Sequence, residues 1–461
     1  MTAASPDQLL PPHLVAQVEA AAGAVLEDIR PRGGGGASRE GAEITLVYPD
    51  GRRLRAYLTY DLVGGGASEE PEAVRREAAV LKAFSGPLRD AGVRAPPYIA
   101  SIPESRAHIM GFVEGDANFR GLKSPQERSA VAADFMAQLA ALHRIDVAAT
   151  PVEGLGAPRP VGEMVRDYIG VMRRRSLDQG ADPLIILSLD LLEQTIPADP
   201  AHPVIAHSDC GPGNFLFKDG RVSALLDWEI VDYGDPMSDL GMLCLRDLLQ
   251  PFVPLPEAFA AYEAAGGARV DLDKVRYYRL YHQTHWAGRG GRFTDPTVAP
   301  PPVIGMSLVY AVMHRNVLTG ALAEAVGAEL APLEVPEVPT SQYHRTFEVS
   351  LSDLRDVIVP RLDQQAAAKA KGLARLVKFW RDMERYGPTL RALETDELSA
   401  ALGRRFADVF AGRRALCDAI LAHDIDPRVA IRLCQRMTTS DRVMLADAMG
   451  ALADARFSPL S

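Results

Sequence analysis

Two runs near the N-terminus alternate apolar with polar positions, and this alternation predicts β-strands. Residues 43–48 and 52–60 are rich in β-branched and aromatic side chains, which favour the pleated surface of a sheet. Between the two runs lies Pro49-Asp50-Gly51, a sequence typical of a tight turn. The pattern therefore predicts a hairpin of two antiparallel strands.

Helical spacing dominates two other segments of the same region. Apolar residues recur every three or four positions in 72–84, which predicts an amphipathic helix. Residues 15–29 also indicate a short opening helix, and 98–102 and 107–113 are candidate strands. The first 115 residues are therefore expected to form a sheet with one prominent helix.

The pattern then becomes mainly helical. Ser124 followed by proline and acid predicts a helix start, and that helix is expected to run to about His143. Further helices are expected at 160–175, 184–194, 347–362, 366–386, 397–423 and 440–455. Short strands are expected at 204–206, 214–218 and 222–226.

These elements predict an α+β chain of three domains. The 461 residues are enough for two or three domains, at roughly 100–200 residues each. We expect a strand-rich domain at 1–115, a mainly helical domain at 116–340 and an all-α domain at 345–461. Proline-rich stretches near 299–302 and 335–339 suggest linkers.

The composition limits the classes of partner and the cellular setting that we expect for the protein. The formal net charge of −10 disfavours nucleic acid, whose phosphates require basic surfaces. An uninterrupted apolar stretch long enough for a bilayer is lacking, and the N-terminus does not resemble a secretory signal. The four cysteines lack metal-ligand spacing. We therefore expect a cytoplasmic protein without a membrane segment.

The candidate chemistry is concentrated after residue 205. Asp209 and Asn214 flank a turn that contains two glycines, and Asp227 follows the next predicted hairpin. Carboxylate and amide oxygens are the ligands that Mg²⁺ prefers. Phosphoryl transfer to an alcohol needs a group beside the attacking hydroxyl and cations on the phosphates. These three side chains could supply both.

The stretch resembles the His-Gly-Asp-x-x-x-x-Asn and Ile-Asp-Trp/Phe-Glu motifs of the aminoglycoside phosphotransferase/choline kinase family, relatives of protein kinases. The resemblance implies that Asp209 is the catalytic base or orients the acceptor hydroxyl, and that Asn214 and Asp227 bind Mg²⁺. It gives His207 a structural role in the loop, in which Ser208 replaces the usual glycine. The trailing Asp235 and Asp239 match an element that mainly braces the loops.

The resemblance extends over about residues 25–330 and implies a two-lobed fold that binds ATP between its lobes. The glycine-rich segment resembles the family's loop over the nucleotide phosphates, and its implied contacts are Gly34, Gly35, Ser38 and Arg39. Glu77 corresponds to the helix glutamate that orients the phosphate-binding cation. Met110 and Phe112 correspond to the hinge that holds the adenine.

The third strand departs from the family pattern. The family usually has Lys or Arg there, whereas the best alignment here gives Tyr57, Leu58 or Thr59. Arg55 is the nearest cation and lies on the same strand face if the register shifts by two. An altered nucleotide site, substitution by Arg55 or another basic residue, and a degenerate kinase all remain open.

The implied reaction transfers the γ-phosphate of ATP to a hydroxyl of a small molecule. Residues 160–197 carry arginines as well as acids, whereas an aminoglycoside acceptor would favour a strongly acidic wall. Their pattern resembles the kinase-like domains associated with acyl-CoA dehydrogenases, so a hydroxyacyl or other metabolic alcohol is the favoured acceptor. An aminoglycoside kinase, a nucleotide-binding pseudokinase and a non-enzymatic helical adaptor are the alternatives. The C-terminal helices could serve homo-oligomerisation, partner docking or covering of the acceptor site.

Overall fold

The computed structural model describes residues 9–31, 40–60, 71–289 and 304–461. Five antiparallel strands form the N-terminal sheet in the order β1-β2-β3-β5-β4. The strands are β1 (Val25–Pro31), β2 (Glu40–Val47), β3 (Arg53–Tyr60), β4 (Tyr98–Ile102) and β5 (Ala107–Gly111). The predicted hairpin is the β2–β3 pair, and its turn is closed by a hydrogen bond from the Gly51 N–H to the Tyr48 carbonyl (2.9 Å).

The described part of the chain contains thirteen α-helices and four further strands. The helices are α1 (Pro12–Ala22), α2 (Pro71–Ser85), α3 (Pro125–His143), α4 (Val161–Asp178), α5 (Pro183–Gln194), α6 (Pro236–Leu249), α7 (Leu255–Ala264), α8 (Leu272–Gly288), α9 (Ile304–Val326), α10 (His344–Ser352), α11 (Gln364–Ala401), α12 (Val409–Leu421) and α13 (Pro427–Met449). Strand β6 (Val204–Ala206) pairs with β9 (Asp232–Gly234), and β7 (Phe215–Lys218) pairs with β8 (Arg221–Leu225). No helix among these described residues is both long enough and apolar enough to cross a bilayer.

The opening helix is shorter than the sequence pattern predicted. Helix α1 ends at Ala22, because Gly23 adopts a left-handed conformation (φ +61°) that caps the helix. The chain then forms β1, which pairs with β2. The prediction of one helix over 15–29 was therefore wrong in its second half.

The two faces of the N-terminal sheet differ in character. One face packs under α1, where Leu14 and Val18 join strand residues such as Ile44, Leu58 and Ile109 in a buried apolar cluster. Because side chains alternate along a strand, the other face carries a second set of residues. This polar face comprises Glu43, Arg55, Tyr57, Thr59, His108 and Met110.

The C-terminal region is helical as predicted, but its helices begin and end at other residues than expected. A single helix, α11, covers the region expected to hold 366–386 and the start of 397–423, and it continues through Pro388. Helix α13 begins at Pro427, where the Asp426 carboxylate caps it, and ends before Gly450. Packing among these long helices outweighs the local tendency of proline to interrupt them.

The chain divides into two compact units. The first comprises Met1–Glu163, Ala198–Tyr278 and Ser458–Ser461, and the second comprises Met164–Pro197 and Arg279–Phe457. In the second unit α5 packs against α12 and α13, so segments far apart in sequence share one core. The functional division into 1–115, 116–340 and 345–461 stays a prediction.

Candidate active site

The loop after β6 carries the first predicted site residues in a strained conformation. Ser208 has a positive φ of +65°, which costs an L-residue roughly 1–2 kcal/mol relative to glycine. The Ser208 N–H donates a hydrogen bond to Asp239 Oδ1 (2.7 Å), and the His207 N–H donates to Asp239 Oδ2 (2.8 Å). These bonds hold the backbone conformation that glycine would adopt more readily.

Asp239 is the buried anchor of this loop. Its side chain is 0% exposed, and it also accepts a hydrogen bond from His143 Nε2 (3.0 Å) at the end of α3. Burial alone would raise the pKa of Asp239, but the hydrogen bond and charge of His143 lower it below its usual value. Asp235 braces the neighbouring turn, because it caps α6 through the Met237 N–H (2.9 Å) and accepts from Lys274 Nζ (2.7 Å).

We expect Asp239→Ala to destabilise the first unit strongly. The substitution would leave two backbone N–H groups and His143 without their buried acceptor, and breaking a buried pair costs about 3–5 kcal/mol. Urea unfolding would measure the loss. Asp273→Ala is the control, because Asp273 is 93% exposed and forms an ion pair with Arg276 on its own helix. Similar losses for the two variants would contradict the assignment of Asp239 as an anchor.

His207 connects the two loops of the site. Its Nδ1 accepts a hydrogen bond from the Asp209 N–H (3.3 Å), and its Nε2 donates to the Leu226 carbonyl (2.9 Å). Burial lowers the pKa of His207 and so favours the neutral ring, and these two partners set its tautomer. The structural role that the resemblance implied for His207 therefore has a defined geometry.

Asn214 folds back onto Asp209, as the two loop glycines predicted. The Asn214 Nδ2 group donates to the Asp209 carbonyl and to Asp209 Oδ2, both at 2.8 Å. Gly211 and Gly213 have φ values of +142° and +96°. A Cβ at Gly211 would also lie 2.6 Å from the Cβ of Arg246 on α6. The loop therefore requires glycine for both conformation and space.

The second loop brings Asp227 to the same region. The Leu226 N–H donates to the Asn214 carbonyl (2.8 Å), so Asp227 directly follows a residue bonded to both His207 and Asn214. Asp227 has a φ of +66° and is half-buried, whereas Asp209 and Asn214 are buried. The three oxygen-bearing side chains thus come from two loops that are hydrogen-bonded to each other.

Arg246 belongs to this arrangement and was missed by the sequence reasoning. Its Nε donates to Asp209 Oδ1 (2.8 Å), and its Nη2 donates to Asp209 Oδ2. Burial would lower the pKa of Arg246, but the charges of Asp209 and Asp227 raise it above its usual value. A signal was present in the sequence: Arg246 lies seven residues after Asp239 and so shares its helix face.

The described residues to which the resemblance assigned nucleotide contacts form two separate groups. Glu77 on α2 contacts His108 Nε2 on β5 (3.4 Å), and both side chains are buried. His108 is the strand partner of Thr59, one of the candidate positions for the missing cation. His108 on β5 therefore contacts Glu77, the residue that the resemblance would pair with a lysine or arginine on the third strand.

Arg55 lies in the second group, beside Phe112, which the resemblance assigned to the hinge. It contacts Glu43 (2.9 Å) and Glu114 (3.4 Å), and its guanidinium stacks 4.2 Å from the centre of the Phe112 ring. Met110 is buried on the adjacent strand. Gly34, Gly35, Ser38 and Arg39 lie outside the described residues.

A metal ion at this site would need ligands from outside the protein. In the described ranges, no group of three or more His, Cys, Asp or Glu side chains is arranged to hold a metal ion. Asn214 and Asp227 nevertheless offer the oxygen donors that suit Mg²⁺, which commonly keeps several waters and takes phosphate oxygens as further ligands. The donor set therefore fits a metal–nucleotide complex better than a metal held by protein alone.

Residues 65–278 match the model of the phosphotransferase enzyme family. This similarity to the family covers a little less than half of the chain. The matched region includes Asp209, Asn214 and Asp227, so the motif and the family assignment coincide.

Two curated relatives are similar to part of the chain. Acyl-CoA dehydrogenase family member 10 of Mus musculus is 25% identical over 226 residues, which cover 45% of this chain and 20% of the relative. Acyl-CoA dehydrogenase family member 11 of Rattus norvegicus is 30% identical over 207 residues, which cover 41% of this chain and 25% of the relative. The chain thus spans a quarter or less of these relatives.

A solved structure shares the fold. A candidate aminoglycoside phosphotransferase from Ralstonia eutropha JMP134 is 23% identical and superposes with a TM-score of 0.51, over 68% of this chain and 99% of that chain. The predicted α+β, kinase-like architecture is confirmed, with an antiparallel N-terminal sheet, a mainly helical remainder and further helices at the C-terminus.

Proposed function

We propose that the chain is an ATP-dependent phosphotransferase that moves the γ-phosphate to a hydroxyl group of a small molecule. The observation that carries the proposal is the convergence of Asp209, Asn214 and Asp227 on two hydrogen-bonded loops. Phosphoryl transfer is catalysed mainly by positioning and by charge stabilisation, and these residues can provide both.

Asn214 and Asp227 are the proposed Mg²⁺ ligands. Both Asn214 hydrogen bonds to Asp209 use its amide nitrogen, so its amide oxygen remains the atom for a cation. The half-buried Asp227 carboxylate supplies a second oxygen from the neighbouring loop. Bound Mg²⁺ would neutralise charge on the nucleotide phosphates.

Asp209 is proposed to orient the acceptor hydroxyl. Its Oδ2 receives hydrogen bonds from Asn214 and Arg246, whereas Oδ1 receives one from Arg246. A carboxylate oxygen can accept about two hydrogen bonds, so Oδ1 can accept another from the acceptor. The acceptor oxygen then bonds to the γ-phosphorus, the bond to the ADP oxygen breaks, and the hydroxyl proton is released towards Asp209.

The nucleotide is proposed to bind against the polar face of the N-terminal sheet. Met110 and Phe112 would hold the adenine, and Gly34, Gly35, Ser38 and Arg39 would contact the phosphates. Arg55 is proposed as a further nucleotide contact, and its stacking on Phe112 would put it near the base. Glu77 would act with His108 in shaping this surface.

For the acceptor we favour a hydroxyacyl compound or another metabolic alcohol. The similarity to relatives named as acyl-CoA dehydrogenase family members supports this choice, although the chain spans a quarter or less of their length. The four cysteines, all of them among the described residues, are buried and form no disulfide, which supports a reducing, cytoplasmic setting. The exposed apolar side chains of α10 and α11, among them Val349, Leu373 and Trp380, would suit homo-oligomerisation.

A second candidate function is a nucleotide-binding regulatory module with weak catalysis. It is favoured by the contact of Glu77 with His108 instead of a third-strand Lys or Arg. Such a module would bind nucleotide but transfer phosphate slowly to every acceptor.

Magnesium-dependent turnover with an acceptor panel tests the proposal. ADP release would be measured with hydroxyacyl-CoAs, choline-like amino alcohols and aminoglycosides, and nucleotide binding by thermal shift. We expect Mg²⁺-dependent ATP binding, with turnover stimulated by a hydroxyacyl compound. Binding without acceptor-stimulated turnover would favour the regulatory module, and no binding of ATP would contradict both functions.

A further inference from the structure

Arg246 interacts with two carboxylates that have different proposed tasks. It forms a two-pronged contact with Asp209, which would face the acceptor, and its charge also interacts with that of Asp227, which would face the metal. In an in-line transfer the phosphoryl group passes between the attacking oxygen and the metal-bound phosphates. The guanidinium is therefore near the path of the transferred group.

The Arg246 guanidinium has more N–H donors than Asp209 engages. Arginine carries five N–H bonds in a rigid fork, and Asp209 engages one at Nε and one at Nη2. The side chain is 20% exposed, so its outer edge is open to a ligand. On the opposite side its stem packs against Gly211, where an added Cβ would overlap it, and this packing limits the positions that the guanidinium can take.

We propose that Arg246 binds the γ-phosphoryl group of ATP through the N–H groups that Asp209 does not use. This inference rests on the proposed phosphotransferase function. Arg246 would supply, from the catalytic-loop side, positive charge that a third-strand Lys or Arg would otherwise provide. It would also make the site discriminate between nucleotides with and without a γ-phosphate.

The first test compares Mg²⁺–AMP-PNP with Mg²⁺–ADP by titration calorimetry. Loss of a charge-assisted hydrogen bond should weaken AMP-PNP binding to Arg246→Met by roughly 10- to 100-fold, with little change for ADP. Arg246→Lys should recover part of the AMP-PNP affinity, because it keeps the charge but loses the fork. Equal weakening of both nucleotides, or no weakening of either, would overturn the role of Arg246.

The second test weakens the pairing of Arg246 with Asp209, and its main comparison does not use the Met variant. Asp209→Asn removes the negative charge that competes with phosphate for the guanidinium. We expect AMP-PNP to bind Asp209→Asn several-fold more tightly, roughly threefold to tenfold, and ADP to bind as before. The double variant with Arg246→Met should lose this gain. Unchanged or weaker AMP-PNP binding by Asp209→Asn would contradict the proposal.

Arg413→Met is the matched control. Arg413 forms a comparable two-pronged contact with Glu394 (2.6 and 2.7 Å) in the second compact unit. Arg413→Met therefore removes an ion pair similar to that of Arg246 with Asp209. We expect its ratio of AMP-PNP to ADP affinity to equal that of the parent. If the parent itself binds neither nucleotide, both the proposed function and this inference fail. If it binds both and Arg246→Met keeps the parental ratio, only this inference fails.

Discussion

Asp209→Asn is expected to lower kcat by about 10²- to 10⁴-fold, the usual contribution of a positioned acid or base. The amide is close to the carboxylate in size, so it can keep a contact with Arg246 but lacks the charge that attracts the hydroxyl proton. The KM for ATP should not rise, because Asp209 is proposed to face the acceptor. Initial rates of ADP release, with saturating Mg²⁺ and the best acceptor of the panel, would measure both constants.

Comparing the change in kcat with the change in the KM for ATP distinguishes a loss of catalysis from damage to the fold. A variant that unfolds would lose nucleotide binding together with turnover. A fall in kcat of less than about tenfold would remove Asp209 from the catalytic role, since it lies below the range expected for a proton-handling group.

Asp227→Asn is expected to lower kcat/KM for ATP by about 10³-fold, which corresponds to roughly 4 kcal/mol. Loss of one carboxylate weakens the hold on the metal that neutralises the phosphates. Asn suits this position better than Ala, because Asp227 has a φ of +66° and Asn tolerates the left-handed conformation. The Mg²⁺ concentration for half-maximal activity should rise in parallel.

Asp219→Asn is the control for this substitution. Asp219 also has a positive φ (+52°), but it is exposed in the turn between β7 and β8. The same chemical change in the same backbone conformation should leave both kcat/KM and the Mg²⁺ requirement unchanged. If Asp227→Asn behaves like Asp219→Asn, Asp227 is not a metal ligand.

The loop that joins Asp209 to Asn214 could be predicted from sequence because the residues that shape it are close together in the chain. Asp209 and Asn214 are five residues apart around two glycines, and the structure joins them by hydrogen bonds. The spacing did not reveal that Ser208 and Asp227 both adopt positive φ. Those conformations depend on partners such as Asp239, which is thirty residues away in sequence from Asp209.

The nucleotide side was harder to predict because its contacts are not local. The contact of Glu77 with His108 has no local signal in the sequence, because it depends on β5 lying beside β3 in the sheet. The strand face of Arg55 was predicted by alternation, but its partners Glu43 and Glu114 come from other segments. Arg246 belongs to no motif and is marked in the sequence only by its helical spacing from Asp239, and its proposed role rests on its contact with Asp209.

The helix boundaries show the same difference between local and non-local information. The end of α1 at Gly23 is a local signal that the periodicity of 15–29 obscured. Pro388 is a local signal for a break, yet α11 continues through it. In the second unit, α5 packs with α12 and α13, and such packing between distant segments cannot be read from apolar spacing alone.

A crystal structure with Mn²⁺ and AMP-PNP would test the central claim most directly, because the anomalous signal of manganese locates the metal. The account predicts a manganese peak bound to Asn214 and Asp227 at about 2.1 Å, close to the distance for Mg²⁺, with the γ-phosphate facing Asp209. A manganese peak bound to AMP-PNP but remote from both residues would contradict it.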